Sequence, residues 1–199
     1  MNARTDALHQ KFLGASFVIA PLLFGASTFF WQNGEYGVTG GTLLTLSMIF
    51  WIPVFYGLFS LLREKMPYYY PIGLLLAIYG CCVGGVSFGF LGFFSSIFHI
   101  SHQTYINTLA QYPLSANLLL FWSGPLFPLS LLILSINLIR KKVIVLWPGI
   151  LLGLGAIAFP LSRIPRIEIF AHLADLLLAI PILRFGFEFI FKSNDKVAT

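Results

Sequence analysis

Residues 71–97 read PIGLLLAIYGCCVGGVSFGFLGFFSSI, and none of them is charged. Wound as a helix, a run of this length rises about 40 Å, more than the roughly 30 Å of a bilayer's hydrocarbon core. In a soluble domain it would leave no face for water. The segment also indicates how it packs. Cys81, Gly85, Gly89, Gly92 and Ser96 recur every three or four residues, with Gly80 and Gly84 beside them. Small residues at that spacing let two backbones approach closely, where lipid supplies no hydrophobic drive for association. Cys81 and Cys82 read as packing residues, because two neighbours in one apolar run build neither a disulfide framework nor a spaced zinc site.

Five more apolar stretches flank this one, giving expected spans near 13–32, 41–62, 71–97, 115–139, 144–162 and 167–191. The bulk numbers agree. Of 199 residues, 58% are hydrophobic and 10% charged, with a mean hydropathy of +0.87, whereas soluble domains run near a quarter charged. The expected fold class is therefore all-α: a polytopic transmembrane helical bundle of six spans, with residues 1–199 forming a single integral membrane domain. Short connections make neighbouring helices antiparallel. Only Ile100 to Leu114 has room for structure of its own, and the pattern predicts an interfacial helix with Tyr105, Leu109 and Tyr112 opposite His102, Gln103, Asn107 and Gln111.

Orientation follows from the cations, because positive loops stay in the cytoplasm. Arg4, Lys11, Arg63, Lys65, Arg140, Lys141, Lys142, Arg184, Lys192 and Lys196 fall on one side, and only Arg163 and Arg166 on the other. Both termini are thus expected in the cytoplasm, and the asymmetry fits a prokaryotic inner (plasma) membrane. The apolar run behind Met1–Lys11 is about 20 residues, longer than the 7–15 of a signal h-region, and reads as a retained span. Trp31 and Tyr68 to Tyr70 are placed as interfacial anchors. Pro21, Pro53, Pro125, Pro128, Pro148 and Pro181 fall inside spans and predict kinks. The pentapeptide LLLAI at 74–78 returns at 176–180. In so leucine-rich a chain, coincidence accounts for it better than an inverted repeat.

The last span holds the least expected residues. Glu168, His172 and Asp175 are spaced i, i+4 and i+7 and share one helical face. Asp175 lies about 12 Å below Ile167, a depth at which insertion scales charge roughly 2.5–3.5 kcal/mol for a carboxylate. It must be paired, protonated or turned into the bundle. His172 is its nearest partner in sequence. His99 and His102 continue the small-residue stripe from Ser96 by three and three, and Arg163 and Arg166 sit on the side that cations avoid. Together Asp175, His172, Glu168, His99, His102, Arg163 and Arg166, with Glu35, outline an outward-facing polar vestibule as a ligand or proton site. Arg184 and Glu188 form a separate i, i+4 pair near the opposite end.

Several function classes follow. The net charge of +5 and pI near 9.4 do not mark a nucleic-acid binder, because the cations punctuate apolar runs instead of forming a stripe. A small proton-linked carrier or permease fits kinked helices around a polar mouth with Asp175 and His172 as the gate. A non-catalytic membrane subunit, assembly factor or sensor, acting through contacts with a membrane-protein partner or a second copy, is the alternative. Metal or haem held by His99, His102 and His172 is a further one; otherwise no cofactor is expected. An enzyme fits less well, since no nucleophile motif stands near Asp175 and His172 and no catalytic residue is assigned.

Overall fold

The computed structural model describes residues 3–32 and 34–195; the expected inner-side Lys196 and the side chains of Arg4 and Lys192 lie outside the described part. The helices are α1 (Ala3–Thr28), α2 (Val38–Ser60), α3 (Tyr69–Tyr79), α4 (Val86–Ile97), α5 (His102–Leu109), α6 (Pro113–Ala116), α7 (Leu126–Arg140), α8 (Leu146–Arg163) and α9 (Glu168–Asp195). A two-residue hairpin, β1 (Trp31–Gln32) and β2 (Glu35–Tyr36), caps the α1–α2 connection and pairs Trp31 with Tyr36.

All six expected apolar stretches are helical. The run 71–97 is one helix, α3 and α4, joined through a wider π turn at Gly80–Gly85. The stretch 115–139 is bent by 42° between Pro113–Phe121 and Leu126–Arg140, where Gly124 and Pro125 interrupt the ladder. Among the described residues, four helices are long and apolar enough to cross a membrane, five if the bent pair is one span. The surface supports a membrane-embedded protein, with Phe29, Ile49, Leu75, Leu119, Ile133, Ile150 and Leu176 all exposed.

The helices close into a ring. α1 packs on α2 and α9, α2 on α3 and α4, α3 on α7, α7 on α8, and α8 on α9. Glycines set the closest approaches. A Cβ at Gly89 would stand 2.2 Å from Thr45 Oγ1 and 2.8 Å from the Gly41 carbonyl oxygen, while one at Gly84 would meet the Ser123 carbonyl oxygen at 2.6 Å. The stripe in α4 therefore seats on α2, and Gly80 and Gly84 seat on the bend of the fourth apolar stretch, at Ser123–Phe127. The ring is filled. Phe24, Trp51, Phe127 and Phe159 pack with centroid separations of 5.1 to 6.1 Å, above a layer of Leu131, Leu134, Leu152 and Leu178.

Of the prolines expected to kink spans, Pro125 and Pro128 stand at the 42° bend, at the N-cap and in the first turn of α7, and Pro21, Pro53 and Pro181 lie inside helices, as does Pro160; Pro148 lies in the first turn of α8, where no intrahelical N–H is lost. The segment expected to form a helix does so as α5, N-capped by Ser101 Oγ accepting the Thr104 N–H at 3.3 Å. However, His102 and Tyr105 share its inner face instead of opposing one another. A step of three residues turns a helix only about 60° short of a full circle.

Candidate functional site

The buried acid of α9 does not pair with His172. Asp175 Oδ1 accepts a hydrogen bond from Arg163 Nη2 at 2.7 Å, and Oδ2 accepts one from Thr28 Oγ1 at 2.6 Å. Helix direction explains the meeting. Every Cβ leans toward its helix N-terminus, so Arg163, at the C-terminal end of α8, points back into the bundle. Asp175, two turns into the antiparallel α9, points outward to meet it. Arg163 Nη2 also donates to Thr28 Oγ1 at 3.1 Å, and Nη1 to Ser162 Oγ at 3.2 Å. The guanidinium is caged by the rings of Phe159, Trp31 and Phe24 at 4.9, 5.1 and 5.6 Å, a desolvated setting in which cation–π attraction counts most. Its Nε is buried without a hydrogen-bond partner. Three helices, α1, α8 and α9, are thereby tied at one end of the ring. Trp31, expected as an interfacial anchor, forms part of this cage.

A second cluster lies above the first. Arg166 Nη1 donates to Glu35 Oε1 at 2.7 Å, and Arg166 Nη2 lies 2.7 Å from His102 Nδ1. His102 Nδ1 stands 3.1 Å from Glu35 Oε1 and also bonds the Tyr105 hydroxyl. Burial raises the Tyr105 phenol above its ordinary 10.0, with Arg166 opposing the shift and Glu35 adding to it. Arg166 holds φ at +57° and ends α8 with the Ile167 N–H bonded to the Ser162 carbonyl at 3.1 Å, a left-handed helix cap. The hairpin turn is shaped around it. Gly34 sits at φ +77°, and a Cβ there would lie 2.7 Å from Arg166 Cβ.

No family model, curated protein or solved structure matches this chain.

The face Glu168, His172, Asp175 is real but graded, with side chains 62%, 24% and 6% exposed. His172 lies 3.8 Å from Glu168 and stacks against Phe29 at 4.3 Å. Glu168 opens α9, where a carboxylate suits the helix dipole. His99 leaves the group entirely. The helix ends at Ile97, and His99 is an exposed left-handed cap at φ +52° with the Ile100 N–H bonded to the Ser95 carbonyl at 2.9 Å. His99 lies two residues past the helix end, where the helical periodicity of the stripe no longer applies. Among the described residues, no three His, Cys, Asp or Glu side chains converge on a metal position, so His99, His102 and His172 do not meet as a three-histidine metal site.

The single vestibule resolves into two layers, Glu35, Arg166, His102 and Tyr105 outside, and Arg163, Asp175, Thr28 and Ser162 inside. Thr28, Ser162 and Tyr105 carried no signal in the sequence, because hydroxyls are common in membrane helices. Arg184 Nε does bond Glu188 Oε1 at 3.0 Å. That pair borders a cavity of about 330 Å³ at the opposite end of the ring.

Proposed function

We propose that the chain is a six-span carrier of the prokaryotic inner membrane, forming one integral membrane domain with both termini cytoplasmic, and that Arg163, Asp175 and Thr28 form its outer gate. Six helical segments joined in a closed ring, with cations gathered at one end, support the span count and orientation. The observation that carries the gate is a largely buried charge pair that ties α1, α8 and α9 together at one end of the ring. Taking two charges out of water costs several kcal/mol per ion, and apolar side chains of similar volume would join helices at least as firmly. Intramembrane charges held at such a cost mark function.

The chemistry of the pair limits what can pass. Arg163 stays charged at every accessible pH, so a proton arriving on Asp175 removes its counter-ion and frees the outer ends of α1, α8 and α9. An anionic solute is the natural replacement for the lost carboxylate. Proton and anion then move together, and net charge at Arg163 is conserved. The outer layer, with Arg166 and His102, offers the approaching anion its first cations.

Proteoliposomes loaded with a pH-reporting dye test this. Addition of one member of a panel of small carboxylates and phosphates should drive proton entry in wild-type protein and none in Asp175→Asn. Proton movement that Asp175→Asn leaves unchanged overturns the gate. The packed aromatic centre favours a second reading, a membrane subunit acting through helix contacts, because Phe24, Trp51, Phe127 and Phe159 pack together in the middle of the ring. One stoichiometric membrane partner on purification, without solute flux, would select it.

A further inference from the structure

The cavity at the end of the ring opposite Asp175 has a chemistry of its own. Along α8, Pro148 on its wall and Arg163 are about 22 Å apart at 1.5 Å per residue, so it is separate from the gate. Its volume of about 330 Å³ falls at the low end of small-molecule sites, roughly 300–1,000 Å³. The floor is apolar, with Ile144, Pro148 and Phe185 among its lining, and Lys142, Arg184 and Glu188 stand at its edge.

The cations there are available. Arg184 spends Nε on Glu188 and lies over the Trp147 ring at 4.8 Å, while its two terminal nitrogens make no hydrogen bond among the described residues. Lys142 makes no ion pair among them. Its backbone is also unusual: Lys142 holds φ at +52°, with the Val143 N–H bonded to the Leu138 carbonyl at 3.1 Å and its own N–H to the Ile139 carbonyl at 3.0 Å. This is the helix-ending position where glycine is the unstrained choice. A lysine kept there accepts strain and gains only its side chain, which lines the cavity. With Glu188 neutralising one cation, the rim retains a single positive charge. More cations lie close by, since Lys65 Nζ donates to the Lys141 carbonyl at 2.9 Å beside Arg140.

We infer that this cavity binds one anionic phospholipid of the surrounding bilayer, its phosphate held by Lys142 and Arg184 and its glycerol and upper acyl carbons lying on Ile144, Pro148 and Phe185. Three features favour a lipid over a soluble phosphate. The site sits at helix ends, the level of headgroups. Arg184 over Trp147 is the amphipathic pairing found at membrane interfaces. The apolar floor continues into Val145 and Leu146, which are exposed on the outside of the ring. Basic pockets between helices at the cation-rich face are where anionic headgroups dock.

The test uses the full-length protein in a neutral detergent, with thermal unfolding followed by tryptophan fluorescence. Short-chain phosphatidylglycerol should raise Tm by a few degrees, while phosphatidylcholine of equal chain length and glycerol 3-phosphate should not. Lys142→Gly relieves the backbone strain and removes the charge together. It should leave the lipid-free Tm unchanged or higher, yet raise the lipid concentration needed for half the shift about tenfold, the worth of one charged hydrogen bond. Arg184→Gln should do the same at a lower starting Tm. Equal stabilisation by glycerol 3-phosphate, or a full phosphatidylglycerol response in both variants, overturns the inference.

Discussion

Removing the charge of Asp175 should cost more than removing the charge of Arg163, although the two are partners. In Asp175→Asn the guanidinium keeps its bonds to Thr28 and Ser162 but loses the one carboxylate it pairs with among the described residues, while buried among Phe24, Trp31 and Phe159. It cannot shed its proton. Breaking a buried pair from one side costs about 3–5 kcal/mol, and Asp175→Asn should fall in that range. In Arg163→Gln the stranded carboxylate can neutralise itself by taking a proton, so the loss should be smaller by about 1–2 kcal/mol. The double variant leaves no buried charge and should be more stable than the sum of the two losses predicts, with a coupling of at least ~2 kcal/mol. Equilibrium unfolding in mixed dodecyl sulfate micelles measures all four proteins. Trp31, whose ring lies 5.1 Å from the guanidinium, reports the site itself through its fluorescence. Losses that add within about 0.5 kcal/mol, or an Asp175→Asn loss below about 1 kcal/mol, the worth of an exposed pair, would refute the reasoning.

Three further outcomes follow from particular contacts. Gly89→Val places a side chain where a Cβ already meets Thr45 Oγ1 at 2.2 Å and the Gly41 carbonyl at 2.8 Å; it should destabilise by about 1–3 kcal/mol, whereas the lipid-facing Phe90→Leu should change unfolding little. Gly34→Ala forces an L residue into φ +77° against Arg166 Cβ. It should cost about 1–2 kcal/mol, and proteolysis should then cut the β1–β2 turn faster than in wild type. Tyr105, whose phenol is raised mainly by burial, contributes stability that is full below its unfolded value near 10 and is lost as the pH climbs through the higher folded value. Ultraviolet titration should show a late phenolate step that Tyr105→Phe removes.

Much of the architecture was legible because lipid constrains sequence so strongly. The uncharged run at 71–97 and its companions had to be helices, since every backbone group must be satisfied internally where water is absent. The glycine stripe marked α4 as a packing helix, and contact with α2 bears that out. The i, i+4 and i+7 spacing put Glu168, His172 and Asp175 on one face, and Arg184 with Glu188 in one pair. The same periodicity failed wherever a helix stopped. His99 was projected along a stripe that ends at Ile97, and His102 was set against Tyr105 when three residues nearly complete a turn.

The partner of Asp175 marks the boundary between what the chain and the fold each decided. The sequence alone determined that a carboxylate lies deep in an apolar segment and must be compensated, because an unpaired charge among apolar side chains is costly whatever the neighbouring helices are. It could not choose among His172, Arg163 and Arg166. Only the closed ring decided that. It brought the end of α8 beside the second turn of α9 and the last residue of α1, and the opposite lean of side chains in antiparallel helices then joined Arg163 to Asp175. Arg166, three residues on and turned by a left-handed cap, was sent to Glu35 and His102 instead. Pairing between helices is a property of distance and direction, and neither is written in the order of residues.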